Sequence, residues 1–182
     1  MKLKELYKKE ILPKMMEKFA YKNIMAVPSV TKITLNVGVG KHAKDKSYNE
    51  MVVKNLTAIT GQKPMLTKSK KSISAFKVRE GMTVGVAVTL RGERMYDFLE
   101  KLVNITFPRV RDFRGISKSH VDNAGNISVG FKEHTAFGEI KADDIENIHG
   151  LEVNISTSAK TKEEGLELFK LMGFPFKKKE QE

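Results

Sequence analysis

Cysteine is absent from this chain of 182 residues. Its absence removes a disulfide framework, a thiolate metal site and a cysteine nucleophile at once. No apolar run approaches the roughly 20 residues that a membrane-spanning helix needs. The opening stretch MKLKELYKKE is basic, yet no hydrophobic signal core follows it, and its acidic residues argue against a transit peptide. The four histidines, His42, His120, His134 and His149, are scattered, with no i, i+4 pair. Acidic residues are in deficit: Asp+Glu 22 against Lys+Arg 33 leaves a net charge of +11. A hydrophobic content of 40% still suffices for a core, so this is not a disordered basic tail. These features predict a folded, cytoplasmic protein whose charge favours nucleic acid as a partner.

Periodicity organises the chain as one domain, residues 28–176, with a helical arm at 1–27 and a charged tail at 177–182. In the arm, Leu3, Leu6, Tyr7, Ile11, Met15 and Phe19 recur at helical spacing, and Pro13 is expected to kink or split that helix. Alternation predicts strands over Val30–Gly38, 84–90, 126–131 and Leu151–Thr157, with a short strand at 64–68. Tyr48, Val52, Leu56 and Ile59 mark a helix that Gly61 stops. A second helix carries Met95, Phe98, Leu99, Leu102 and Val103, and residues 104–125 look less regular. A capping box from Thr161 to Glu164 opens the last helix. Alternating strands imply an α+β fold: an antiparallel or mixed sheet with helices on one face. The other face would show Thr34, Asn36, Gly85, Ala87, Thr89, Ser128, Gly130, Glu152, Asn154 and Ser156, all small or polar.

Nothing in the chain assembles a reaction site. Gly38-Val39-Gly40-Lys41-His42-Ala43 formally matches a dinucleotide turn, but the next strand ends at Thr67-Lys68, without the acidic residue that would hold a ribose. A P-loop fails because position 35 is Leu35 and His42 stands where Ser or Thr should meet magnesium. The glycine amides with Lys41, at the start of a helix, could still hold one RNA phosphate. Asp143 with Asp144, and Glu163 with Glu164, are adjacent pairs whose side chains diverge, and His134 reads as a surface residue. No cofactor or metal is expected, and no enzymatic activity.

The basic stretches have a stronger claim. Residues 61–82 set down Lys63, Lys68, Lys70, Lys71, Lys77 and Arg79 against Glu80 alone. So much charge with so little apolar content must face solvent or a polyanion. Arg109, Arg111 and Arg114 form a second cationic group. The open sheet face lacks the aromatics on which single-strand readers stack bases. Small hydroxyl and amide groups instead suit close approach to the backbone and shallow groove of helical RNA.

The stretches YKKEILPKMMEKFAYKN, KITLNVGVG, LTAITGQKP, SKKSISAFKVREGM, VTLRGERMYDFL, FPRVRDFRG and SAKTKEEGLELFKLMGFPF cover nearly the whole chain. Together they closely resemble the bacterial large-subunit ribosomal protein five family, whose members bind 5S ribosomal RNA. The resemblance implies a non-catalytic α+β protein that helps place 5S rRNA in the central protuberance of the 50S subunit. It further implies contacts with 23S rRNA, the P-site tRNA, small-subunit ribosomal protein thirteen and other central-protuberance proteins, with a monomer when free and no membrane. On these positions, the 5S contact falls on Asn36, Gln62, Lys63, Lys68, Thr89 and Arg91. The tRNA contact falls on the basic loop at Lys70, Lys71, Ser72, Phe76, Lys77, Arg79 and Met82. The intersubunit bridge falls on Arg109, Arg111 and Arg114. The chain departs from the family at Val37, a common methionine position, in SKSHVD at 117–122, and in its tail after Phe176. A free-standing RNA chaperone or regulator using the same surface is the alternative function.

Overall fold

Alternating side chains make strands here because each has one dry and one wet side. The computed structural model describes residues 2–140 and 148–177; Asp143, Asp144 and residues 178–182 lie outside them. Strands β1 (Val30–Gly38), β2 (Met65–Lys68), β3 (Thr83–Leu90), β4 (Ile127–Phe131) and β5 (Leu151–Thr157) form one antiparallel sheet in the order β2-β3-β1-β5-β4. Ile33, Leu35, Val37, Val86, Val88, Leu90, Val129, Phe131, Val153 and Ile155 are buried. The intervening Asn36, Thr89, Ser128, Gly130 and Glu152 are exposed. The α+β class and the one-sided sheet are therefore as the sequence pattern implied.

The chain divides into two compact units. The first comprises Met1–Ile33, Leu90–Val129 and Asn154–Glu182. In it, the N-terminal helix buries Leu3, Tyr7, Ile11 and Met15, and packs on the helix Gly92–Lys101. The Tyr7 hydroxyl donates to the Pro28 carbonyl at 3.0 Å, Lys4 pairs with Glu93, and the Leu3 N–H donates to Glu100 at 3.2 Å. Phe107, Phe169 and Phe174 meet edge-on, with centroids at 5.8 Å and 5.0 Å from Phe174. The terminal helix Lys162–Leu171 starts at the expected capping box between Thr161 and Glu164. The second unit comprises Thr34–Thr89 and Gly130–Val153. Its helix Lys46–Thr60 buries Val52, Leu56 and Ile59, is capped by Asp45, and stops at a left-handed Gly61 (φ 66).

Two prolines lie inside continuous helices, and for one reason. The N-terminal helix neither breaks nor splits at Pro13: it runs from residue 3 to 19, with a widened π turn at Tyr7–Ile11 just upstream. The helix Gly92–Lys101 likewise continues through a π turn at Leu102–Thr106 and then Phe107–Arg109, which contains Pro108. A proline ring collides with the carbonyl four residues back in a regular helix. Routing the preceding bonds to i−5 widens the turn and moves that carbonyl aside. Residues 104–109, expected to be irregular, are therefore helical.

Candidate nucleic-acid interface

In the second unit, Asn36 lies on the open side of β1, and β3 passes beside it with Gly85 at the matching position. A Cβ on Gly85 would lie 2.6 Å from Thr67 Oγ1, 3.3 Å from the Val37 carbonyl and 3.6 Å from Asn36 Oδ1. The missing side chain lets Thr67 and Asn36 lean over the strand. Gly85 thus shapes the polar surface without supplying a polar group. Gln62 Nε2 donates to the Thr89 carbonyl at 3.2 Å, so part of its amide is spent holding the end of β3. The Thr89 side chain is exposed, as are Lys63 and, on the edge strand β2, Lys68. The structure thus groups Asn36 with Thr67 and Gly85, and Gln62 with Thr89. Arg91, exposed, belongs to the first unit, just before the helix Gly92–Lys101.

The basic loop is not irregular. Ser69 N–H donates to the Met82 carbonyl at 2.8 Å, and Ile73 and Val78 exchange bonds at 2.9 and 3.2 Å. Glu80 N–H donates to Ser72 Oγ at 2.9 Å. The turn Ser74–Phe76 closes with Lys77 in the left-handed region (φ 53). The loop is therefore an extension of the β2–β3 hairpin, held by one isolated bridge at Ile73 and Val78, which no apolar alternation announced. Its side chains still face outward: residues 70–77 are all exposed, and Phe76 is 75% accessible. Among the described residues no carboxylate pairs with Lys68, Lys70, Lys71, Lys77 or Arg79, whereas Lys4, Lys14, Lys18 and Lys170 of the first unit all have acidic partners.

In the first unit, Arg109, Arg111 and Arg114 are exposed around a bend where Asp112 (φ 51) and Gly115 (φ 92) take left-handed backbone. Phe113 anchors the bend by stacking on Phe107 at 5.3 Å.

Two side readings need correction. The segment after β1 closes as a tight turn at Gly40–His42, and the following helix begins only at Lys46. Asp45 accepts from Tyr48 N–H at 3.1 Å, so a carboxylate already occupies the site proposed for a phosphate at that helix start. His134 is not a surface residue. The short turn His134–Ala136 carries its ring inward, fully buried, where it stacks on His149 at 4.1 Å and 5°. Burial holds His149 down to about 4, with His134 adding to the effect and a Gly150 hydrogen bond opposing it. Nothing local in the sequence couples these two positions. Among the described residues no group of three or more His, Asp or Glu side chains gathers where a metal could sit.

Residues 23–79 match the family described as ribosomal protein L5, and residues 83–176 match the C-terminal part of that same ribosomal family. The large ribosomal subunit protein uL5 of Halothermothrix orenii is 55% identical over 174 residues, 96% of this chain and 97% of that protein. Its counterpart in Syntrophomonas wolfei is 54% identical over 97% of this chain and 99% of its own length. That of Francisella tularensis subsp. novicida is 50% identical over 97% and 98%. Both parts of the family and nearly the full length of each relative are represented, so the chain belongs to the ribosomal protein L5 family, whose members are structural proteins of the ribosome and not enzymes.

Proposed function

We propose that this chain docks on folded 5S rRNA within the large subunit and helps attach it in the central protuberance. The observation that carries the reading is the open side of the second unit: small polar groups at Asn36, Thr67 and Thr89 beside the exposed cations Lys63 and Lys68, which pair with no carboxylate among the described residues. Such a surface admits a double-helical backbone closely, and its lysines displace condensed counterions. Arg91 extends the contact along the chain. The exposed basic loop, residues 70–82, reaches the P-site tRNA, small-subunit protein thirteen meets the cationic bend at Arg109, Arg111 and Arg114, and 23S rRNA is a further partner.

Log affinity for 5S rRNA is expected to fall linearly with log salt, by roughly 0.7–0.9 per phosphate neutralised. Asn36→Ala or Thr89→Ala should weaken binding by about 1 kcal/mol, roughly fivefold, with an unchanged slope, because neither removes a charge. Lys68→Ala should lower the slope itself. Gel shifts across a salt series check all three, and 5S binding no tighter than binding to an unrelated RNA hairpin rejects the reading.

Deleting residues 72–79 removes only the tip, above the bond between Ser69 and Met82, so the β2–β3 ladder stays. Binding to 5S rRNA should survive, and P-site tRNA placement on ribosomes assembled with the deleted chain should be impaired. Normal tRNA occupancy would remove the hairpin from that role.

A further inference from the structure

Beside the hairpin lies a concavity of about 750 Å³, open to solvent, and it is lined by a residue that no motif singled out. Lys44 lines it together with Ser72, Ser74, Lys77, Arg79 and Met82 of the hairpin. Lys44 is delivered by a fixed backbone. Val39 N–H donates to the Val84 carbonyl at 3.0 Å, Asp45 N–H donates to the His42 carbonyl at 2.9 Å, and Asp45 then caps its helix.

The charge balance of the lining is one-sided. No carboxylate is part of it, and among the described residues none pairs with Lys44, Lys77 or Arg79. The neighbouring Asp45 carboxylate is engaged with the Tyr48 N–H, and the Glu80 side chain does not line the concavity. Ser72 Oγ accepts from Glu80 N–H, which leaves its own O–H free to donate. Three uncompensated cations around two hydroxyls make a seat for an anion with several acceptor oxygens. Val78 and Met82 add an apolar patch suited to a sugar. Its openness suits a polymer that passes through better than a small molecule that must be enclosed.

We infer that Lys44, Lys77 and Arg79 form one seat for the phosphodiester backbone of RNA, completed from outside the hairpin by Lys44. The inference rests on the reading of the hairpin as an RNA-contacting element, and it makes that contact one of charge and sugar, not of base sequence. Bases are left free for other partners.

Lysine footprinting on the full chain tests it, with transfer RNA as the probe and acetylation rates read by mass spectrometry. Lys44 and Lys77 should be protected together, by at least about threefold at low salt, and both should recover as salt screens the contact. Lys9, exposed on the N-terminal helix, serves as the unprotected reference. Lys44→Ala should lower the log–log salt slope of tRNA binding by about 1, and Lys44→Arg should restore it. Protection of Lys77 without Lys44 overturns the shared seat while the hairpin reading stands. Protection of neither overturns both. Protection of both by polyglutamate in preference to RNA would assign the seat to an acidic protein instead.

Discussion

Gly165→Ala is expected to destabilise the chain by about 3 kcal/mol, a size that overpacking a closed contact produces. The corresponding fall in melting midpoint is about 9 °C for a chain of this length. Helix propensity alone gives the opposite sign, since alanine exceeds glycine by about 1 kcal/mol in a helix interior. Packing decides the matter. A Cβ on Gly165 would lie 2.4 Å from Gly125 Cα and 2.5 Å from the Gly125 carbonyl oxygen. These are backbone atoms and cannot swing away as a side-chain tip would. Gly125 is itself left-handed (φ 74), and its own Cβ would meet Ala159 Cβ at 2.7 Å and the Thr161 carbonyl at 2.9 Å. The same turn is tied down by Thr157, whose hydroxyl donates to the Gly125 carbonyl and whose N–H donates to Asn126 Oδ1, both at 2.9 Å. The terminal helix therefore crosses the turn before β4 backbone to backbone. Urea and thermal melts of the single variant measure the effect, and a Gly165→Ala chain as stable as the parent would mean that helix and turn can part at little cost.

That glycine pair shows where sequence reading stops. Everything governed by a short period was legible. Alternation in VTKITLNVG gave a strand, helical spacing from Tyr48 to Ile59 gave a helix, and Thr161 with Glu164 gave a cap. These signals are local because burial of one side repeats every two residues in a strand and every three to four in a helix. Features made by two distant segments left no such trace. Gly165 reads as a weak point in a helix until Gly125, far upstream in the chain, is placed against it. Pro13 reads as a kink or a split, and the stretch from residue 104 reads as less regular, because a π turn has no sequence signature. The basic hairpin reads as a loop because its few backbone bonds, at Ser69, Ile73, Val78 and Met82, come without an apolar alternation.

The candidate interface divides along the same line. Its charges and small polar residues were visible as composition, and the family motifs carried Asn36, Gln62, Thr89 and the lysines to particular positions. What holds those groups was not visible. The Thr67 hydroxyl over Gly85, the Gln62 amide on the Thr89 carbonyl and the concavity that Lys44 lines with Lys77 and Arg79 each depend on strand register or on a turn. Register converts residues that are far apart in sequence into neighbours, and one sequence alone does not encode it in any short window.

Stability should fall by about 2 kcal/mol between pH 7.5 and pH 5 through His149 alone, a change that His149→Gln should largely abolish. His149 is only 5% exposed, and its ring lies against the fully buried ring of His134. Asn55 Nδ2 donates to Nε2 of His149 at 3.3 Å, and the His149 Nδ1–H donates to the Gly150 carbonyl at 3.3 Å, so the neutral ring is already satisfied. Nδ1 of His134 lies 3.2 Å from the His149 N–H and 3.3 Å from the His149 carbonyl, so the two buried residues are joined through backbone as well as by ring stacking. A proton on Nε2 of His149 would meet the Asn55 amide hydrogens, and among the described residues no carboxylate pairs with the ring. Burial accordingly pushes His149 down to about 4 and also lowers His134, the latter against a hydrogen bond to the His149 carbonyl and the charge of Glu133. The unfolded chain, with ordinary histidines near 6.5, binds more protons than the folded one over this interval. Stability therefore rises with pH: the contribution is complete above about 6.5 and is lost as pH falls toward about 4. Urea titrations of parent and His149→Gln at the two pH values isolate the term, because the carboxylates are common to both chains. A ring titration of His149 followed by NMR with a midpoint near 6.5 would show that the folded chain admits the charge after all, and the pH dependence would then have to arise elsewhere.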